Sequence, residues 1–463
     1  MTHPYRKGMK TKRMMAAATL LLTMVSGTAM AQPVVVPDDN TRQLREEFRN
    51  RKFGIFIHWG IYSMMADGEW VMYNKRINRD EYAQLAGGFC PSWFSAREWA
   101  QIFKDAGAQY VTFTTRHHDG FSMWDTKASD YNVAEATPYG KDILKSLSAA
   151  CAEHGLKLHL YYSHMDWYRT DYPTGSTSSD LPHDESTANW MSYYTFMNQQ
   201  LTELLTNYGP IGAIWFDGMW DHAEGTGFDW RLDEQYALIK KLQPKCLIGN
   251  NHHGSPIGVE DIQLFEQDLP GDNTAGFSGR QQVSNQVPLE TCMTMNNSWG
   301  YNITDTNYKS GDEVIRRLVQ AAGRNANFLL NVGPRPDGQL PPQAVKVLEH
   351  VGKFMDTHSR SIYNTRGGIV PPQDWGVTTQ DGKTIYLHVL NKEKDGQVVN
   401  EGLHRINGGH LSFFVPLKGH TLGNPTILNT DEKLTIQAEN GGYRIFLPKR
   451  PDTVDLVIKA RID

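Results

Sequence analysis

Ala213-Ile214-Trp215-Phe216-Asp217-Gly218-Met219-Trp220 is a short apolar run that closes in a carboxylate and a glycine. Aromatic residues stand on both sides of the carboxylate. Apolar runs of this length, closed by a turn residue, read as buried β-strands. An aspartate at such a point commonly caps the next helix. Here it sits among Trp215, Phe216 and Trp220, so its surroundings decide whether it caps or reacts.

Seven further runs repeat the pattern on either side. Before it come Phe53 to Ile57, closing in His58-Trp59-Gly60; Tyr110 to Thr114, closing in Arg116-His117-His118-Asp119-Gly120; and Leu156 to Leu160, closing in Tyr161-Tyr162-Ser163. After it come Cys246 to Gly249, closing in Asn250-Asn251-His252-His253; Asp261 to Phe265, closing in Glu266; Leu289 to Met295, with Trp299-Gly300-Tyr301 just beyond; and Asn327 to Gly333. Helical patterns follow most of them, at Ser95 to Ala106, Asp142 to His154, Asn189 to Tyr208, Leu232 to Leu242, Gly311 to Gly323 and Pro342 to His358. The crossovers of the fifth to seventh units are irregular or short. Eight strands mostly alternating with helices predict a parallel sheet closed as a (β/α)8 TIM-like barrel, whose active sites lie at the strand C-terminal ends. The polar and aromatic residues cluster at those ends.

The two chain ends read differently. Arg6, Lys7, Lys10, Lys12 and Arg13 precede the apolar stretch Met14 to Val25 and the small-x-small site Ala29-Met30-Ala31. This is the pattern of a secretory signal peptide spanning residues 1–31, too short for a membrane span, and it predicts a periplasmic or secreted protein. Gln32 to Asn40 reads as a flexible start. Removing the five leader cations takes the formal net charge from −5 to −10, which disfavours nucleic acid as a partner. Cys90, Cys151, Cys246 and Cys292 are widely spaced, without a CxxC pair, and read as isolated buried thiols. Past Ser361 short strand patterns recur between Asp381-Gly382, Asn407-Gly408-Gly409 and Asn440-Gly441-Gly442 turns. They predict an antiparallel β-sandwich over residues 361–463, after a catalytic barrel over 32–360.

An exported, acidic barrel with twelve tryptophans and carboxylates at its strand ends suits sugar chemistry, because sugar C–H faces stack on aromatic rings. Glycoside hydrolysis needs two carboxyl groups on opposite sides of the scissile bond. Asp217 and Glu266 end the fourth and sixth strands and are placed to supply them.

Phe53-Gly54-Ile55-Phe56-Ile57-His58-Trp59-Gly60, Glu69-Trp70, His117-His118-Asp119-Gly120-Phe121, Trp215-Phe216-Asp217-Gly218, Ser298-Trp299-Gly300-Tyr301 and Asn331-Val332-Gly333-Pro334 resemble, in this order, glycoside hydrolase family 29, the α-L-fucosidases. The resemblance covers the barrel, and the family's C-terminal sandwich also fits. It implies hydrolysis of terminal α-L-fucosyl groups of oligosaccharides or glycoconjugates, with retention of configuration and no cofactor. It implies Asp217 as nucleophile and Glu266 as acid/base, with Glu290 as the rival. His58, His117 and His118 match positions that hydrogen-bond fucose hydroxyls, and Glu69 matches a sugar-binding carboxylate. Trp70, Tyr161 or Tyr162, Trp215, His252 and Trp299 fit pocket-lining positions. His252 stands where some relatives carry arginine, and Trp299 where some carry phenylalanine. Two other readings are open to the same residues: a fucose-binding protein without catalysis, and a metal-dependent barrel hydrolase. The latter lacks an HxH pair on the first strand and an HExxH motif.

Overall fold

The computed structural model describes residues 37–178, 181, 185–222, 226–394, 397–406 and 410–463. The predicted leader and the Asn407-Gly408-Gly409 turn lie outside these residues. Among the described residues eight strands form one parallel sheet: β1 (Phe53–Ile57), β2 (Tyr110–Arg116), β3 (Lys157–Ser163), β4 (Ala213–Asp217), β5 (Leu247–Asn250), β6 (Gln263–Glu266), β7 (Leu289–Thr294) and β8 (Ala326–Val332). Their spatial order is β5-β4-β3-β2-β1-β8-β7-β6. A single parallel bridge, Gly249 to Ile262, links the two edges, so the barrel is nearly closed.

The strands are buried on both faces, which is why most of them read as largely apolar runs. Successive side chains divide between two cores. Phe56, Tyr110, Tyr161, Ala213, Trp215, Leu247, Ile262, Leu264, Cys292 and Leu329 fill the barrel interior. Their strand neighbours, such as Ile55, Ile57, Leu160, Tyr162, Ile214, Phe216, Ile248 and Phe265, pack outward with the surrounding helices. Side chains alternate between faces with period two, so parity within a strand decides which residues reach the cavity above.

A helix at Asp39–Arg51 joins the N-terminal end of the barrel. It begins within the stretch predicted to be a flexible start. Asp38 caps it by accepting from the Thr41 N–H at 2.7 Å. Phe48 enters the interior core from this helix, and its carbonyl accepts from Asn327 Nδ2 at 2.7 Å. Above this floor, Gly54 has no Cβ for a physical reason: one would stand 2.4 Å from the Tyr110 ring. The ring space that Gly54 frees lets Tyr110 Oη donate to Glu290 Oε2 at 2.7 Å. Glu290 Oε1 in turn accepts from Trp215 Nε1 at 3.0 Å. The glycine of the first strand thus supports the aromatic floor of the cavity through two hydrogen bonds.

Past the helix Pro342–His358, antiparallel strands form a five-stranded and a four-stranded sheet around a core that includes Ile385, Leu387, Phe413, Val415, Ile445 and Ile458. Strand Gly376–Asp381, mostly small and polar, has no counterpart in the sequence prediction. Its Val377 packs into the barrel's outer core, and Arg316 Nε of helix Gly311–Gly323 donates to the Asn391 carbonyl at 2.9 Å. Cys90 is exposed, contrary to expectation, whereas the other three thiols are buried and all four are free. No helix among the described residues is long and apolar enough to cross a membrane.

Lys52, between the first helix and β1, is fully buried, and its Nζ has no hydrogen-bond partner among the described residues. Burial, reinforced by Arg366 and Arg49, lowers its ammonium from 10.5 to about 7. The folded chain therefore binds fewer protons here than the unfolded chain between those values, and the resulting destabilisation, largest below about pH 7, fades as pH rises toward 10.5. Lys52→Met keeps the volume and removes the charge. Its stabilising effect, read by urea denaturation, is expected to be greater near pH 7 than near pH 9.5 by roughly 3 kcal/mol. An effect independent of pH would contradict this reading of Lys52.

Candidate active site

At the strand C-terminal ends the barrel opens into a cavity of about 450 Å³. Its walls contain His58, Glu69, Trp70, His117, His118, Tyr161, Trp215, Asp217, Glu266 and Trp299, together with Phe56, Trp220, Asn251, His253 and Phe277.

Asp217 closes β4. Gly218 follows with φ +84, a left-handed turn in which an added Cβ would stand 2.8 Å from Met165 Cβ. This turn aims the Gly218 N–H back at Asp217 Oδ1, 2.8 Å away. Oδ1 also accepts from Trp220 Nε1 at 3.1 Å and Asn251 Nδ2 at 3.3 Å, while Oδ2 accepts from Tyr161 Oη at 2.9 Å. Burial and the charge of Glu266 push the Asp217 carboxyl up to about 6, against the pull of His253, the Gly218 N–H and Tyr161.

Glu266 closes β6. Its Oε2 accepts from Asn251 Nδ2 at 2.8 Å and faces His253 Nε2 at 3.0 Å. One amide group therefore touches both carboxylates. The Asn251 amide must present nitrogen to them, since its oxygen would meet two like acceptors. Burial opposes a charged His253, but hydrogen bonding to Glu266 and the charges of Glu266 and Asp217 outweigh it, and its imidazole is raised.

Three other imidazoles are neutral. Burial lowers His58 to about 3, and burial holds His117 and His118 well below the usual range, aided at His117 by His118 and His58 and at His118 by His58 and Arg116. Asn331 Nδ2 donates to the Trp299 carbonyl at 2.7 Å, which turns Asn331 Oδ1 toward His58 Nδ1, also 2.7 Å away. Nδ1 of His58 is thus the N–H donor, and Nε2 is left as an acceptor. His118 repeats the logic: Ser163 Oγ donates to the Met165 carbonyl at 2.6 Å and accepts from His118 Nδ1 at 2.7 Å. Its Nε2 acceptor then lies 3.6 Å from Asp217 Oδ2, a contact between two acceptors rather than an ion pair. Such a site is complementary to hydroxyl groups, which supply the missing hydrogens. Glu69 Oε2 accepts from the Gly300 N–H at 2.7 Å, and burial raises its carboxyl.

Three of the sequence-predicted positions fall outside the cavity. Glu290 lies beneath it, with both oxygens engaged by Tyr110 and Trp215; burial pushes its carboxyl up to about 7. Tyr162 points outward to Gln200 Oε1 at 2.8 Å, leaving Tyr161 as the cavity tyrosine. His252 turns away to Glu260 Oε2 at 3.1 Å, and His253 takes the place in the wall that sequence assigned to it. Strand parity carries the signal that would have found Asn251. Gly249 pairs with the inward-facing Trp215, so Asn251, two residues further on, shares its side, whereas His253 lies past the strand end and reaches the wall through its left-handed backbone. Among the described residues no group of three or more His, Cys, Asp or Glu side chains is placed to hold a metal ion.

A family model described as alpha-L-fucosidase matches residues 25–360. The chain is 29% identical to the human tissue alpha-L-fucosidase over 448 residues, covering 90% of this chain and 87% of that protein. It is 27% identical to the mouse tissue alpha-L-fucosidase over 446 residues, covering 90% of each. Among solved structures it resembles alpha-L-fucosidase isoenzyme 1 from Paenibacillus thiaminolyticus, with a TM-score of 0.77 and 31% identity over 92% of this chain and all of that one. It also resembles a trapped covalent intermediate of a Bacteroides thetaiotaomicron alpha-L-fucosidase of family GH29, with a TM-score of 0.76 and 27% identity over 92% of this chain and 97% of that one. A Lactobacillus casei fucosidase bound to alpha-L-fucose product matches with a TM-score of 0.60 and 30% identity, over 70% of this chain and all of that one.

Tyr161→Phe removes a hydrogen bond that favours the ionised form of Asp217. The Asp217 carboxyl is expected to rise further, by about one pH unit, in a carbon-13 NMR titration. An unchanged or lowered midpoint would show that the Tyr161 hydroxyl does not stabilise the carboxylate.

Proposed function

This chain belongs to the α-L-fucosidase family, glycoside hydrolase family 29, and on that premise we propose that it removes terminal α-L-fucosyl groups with retention of configuration through a covalent fucosyl-enzyme on Asp217. The observation that carries the mechanism is the Asn251 amide, 3.3 Å from Asp217 Oδ1 and 2.8 Å from Glu266 Oε2. The two oxygens it joins can be no more than about 6 Å apart. That bound on one oxygen pair is compatible with the roughly 5–5.5 Å between the carboxyl groups of retaining glycosidases. A related fucosidase trapped as a covalent intermediate supports the same reading.

Asp217 attacks the anomeric carbon while the bond to the leaving oxygen breaks and Glu266 gives that oxygen its proton. Glu266, now a carboxylate, takes a proton from water; the water oxygen attacks the anomeric carbon and frees Asp217. His58 and His118 accept from fucose hydroxyls through Nε2. Phe56, Trp215 and Trp299 offer apolar faces to the ring and its methyl group. Fucosylated oligosaccharides or glycoconjugates are the proposed substrates, and a relative holding alpha-L-fucose product supports that class. The basic-then-apolar start of the chain supports export to the periplasm or beyond, with residues 32–360 forming the catalytic barrel and 361–463 a C-terminal β-sandwich domain.

Asp217→Ala is expected to lower kcat for 4-nitrophenyl α-L-fucoside by at least about 10³-fold. Azide is expected to restore turnover to Glu266→Ala, since a small anion can resolve the fucosyl-enzyme without general-base help, but not to correct any defect of Glu290→Gln. Full activity in the Asp217 variant, or azide rescue at Glu290 alone, would overturn the assignments. Because the nucleophile must be ionised, kcat/KM is expected to fall on the acid side with a midpoint near the Asp217 value of about 6, and an acid limb at or below about pH 4 would contradict it.

A further inference from the structure

Glu266 is held on one side only. Asn251 Nδ2 and His253 Nε2 both approach Oε2, at 2.8 and 3.0 Å. Oε1 receives no hydrogen bond from the described residues, and the side chain lines the cavity. The charges of Glu266 and Asp217 favour a proton on His253. With that proton on Nε2, Glu266 Oε2 accepts from two N–H groups and has no lone pair well placed for a proton of its own. When Glu266 is protonated, the proton is therefore directed to Oε1. Resting on the assignment of Glu266 as acid/base, we infer that His253, with Asn251, is a positioning residue that reserves Oε2 as an acceptor and places the acidic proton on the oxygen that meets the leaving group.

His253 is itself built into place. Its backbone has φ +59, a left-handed conformation uncommon outside glycine and held only where the surroundings require it. Its ring stacks on Phe277 at 5.1 Å with an interplanar angle of 21°. Phe277 is 42% exposed at the cavity wall, so the stack extends from the acid toward solvent, where an aglycone would leave. The groups facing His253 are Glu266 by hydrogen bond and Asp217 by charge. The His253 N–H donor is compatible with both states that the reaction needs: Oε2 accepts from it whether Oε1 carries the proton or has given it up.

Leaving-group dependence tests the inference, because acid assistance matters most when the departing oxygen is a poor leaving group. Asn251 also contacts Asp217, so His253 is the informative position. His253→Leu removes the donor, and His253→Gln supplies another. In His253→Leu the loss in kcat/KM on an unactivated alkyl or disaccharide α-L-fucoside is expected to exceed the loss on the 4-nitrophenyl fucoside by about tenfold or more, and His253→Gln is expected to recover much of the difference. Equal losses on both substrates, or no recovery by glutamine, would overturn the positioning role. Glu266→Gln measured alongside separates the two levels. It should show the same leaving-group bias, more strongly; its absence there would overturn the acid/base assignment, and the role of His253 with it.

Discussion

The contact on which the proposed catalytic arrangement depends is one amide group between two carboxylates. Asp217 and Glu266 come from strands that are not neighbours in the barrel, β4 and β6. Both are drawn into a largely buried space, where two ionised carboxylates repel. Asn251, just beyond the intervening β5, donates to both. The remaining donors then separate the pair: Gly218, Trp220 and Tyr161 serve Asp217, while His253 serves Glu266. The proposed double displacement needs one ionised and one protonated carboxyl group, and unequal donor sets are how a protein makes two similar acids different.

The frame beneath them is also polar. Gly54 makes room for Tyr110, which holds Glu290, which holds Trp215 at the cavity floor. A buried carboxylate with a raised pKa is a familiar sign of a functional acid, and Glu290 has one. Geometry separates the alternatives. Both Glu290 oxygens are engaged below the cavity, whereas Glu266 keeps one oxygen open within it. A perturbed pKa marks burial first, and reactivity only where a substrate can reach.

Most of the barrel was legible because fully buried parallel strands leave largely apolar runs, and β1, β4 and three of the helices begin and end where their patterns predict. The irregular crossovers after β5 and β6 were legible too, as a lack of helical periodicity. What was not legible depended on tertiary contact. The first helix is polar in sequence and gains its place by burying Phe48 in the barrel floor. The strand Gly376–Asp381 has little apolar alternation of its own and is fixed by neighbours on both sides. At the site, the strand-end placement read for Asp217, Glu266, His58, His117 and His118 matches the cavity wall they line. Direction was harder: Tyr161 and Tyr162 differ in face, and only parity anchored on an inward residue separates them, while His252 and His253 lie past the end of β5, where a left-handed backbone at His253 sets direction. His253 was passed over for its neighbour because that loop conformation leaves no periodic signal.

The central claim is that Asp217 forms the bond to the sugar. The most direct measurement uses 2-fluoro-fucosyl fluoride to accumulate the glycosyl-enzyme, followed by proteolysis and peptide mass spectrometry. The account predicts one fluorofucosyl adduct per chain, on the Asp217 carboxylate within the peptide that carries Trp215 and Trp220. An adduct on Glu266, Glu290 or Glu69, or turnover of the reagent without any covalent adduct, would contradict it.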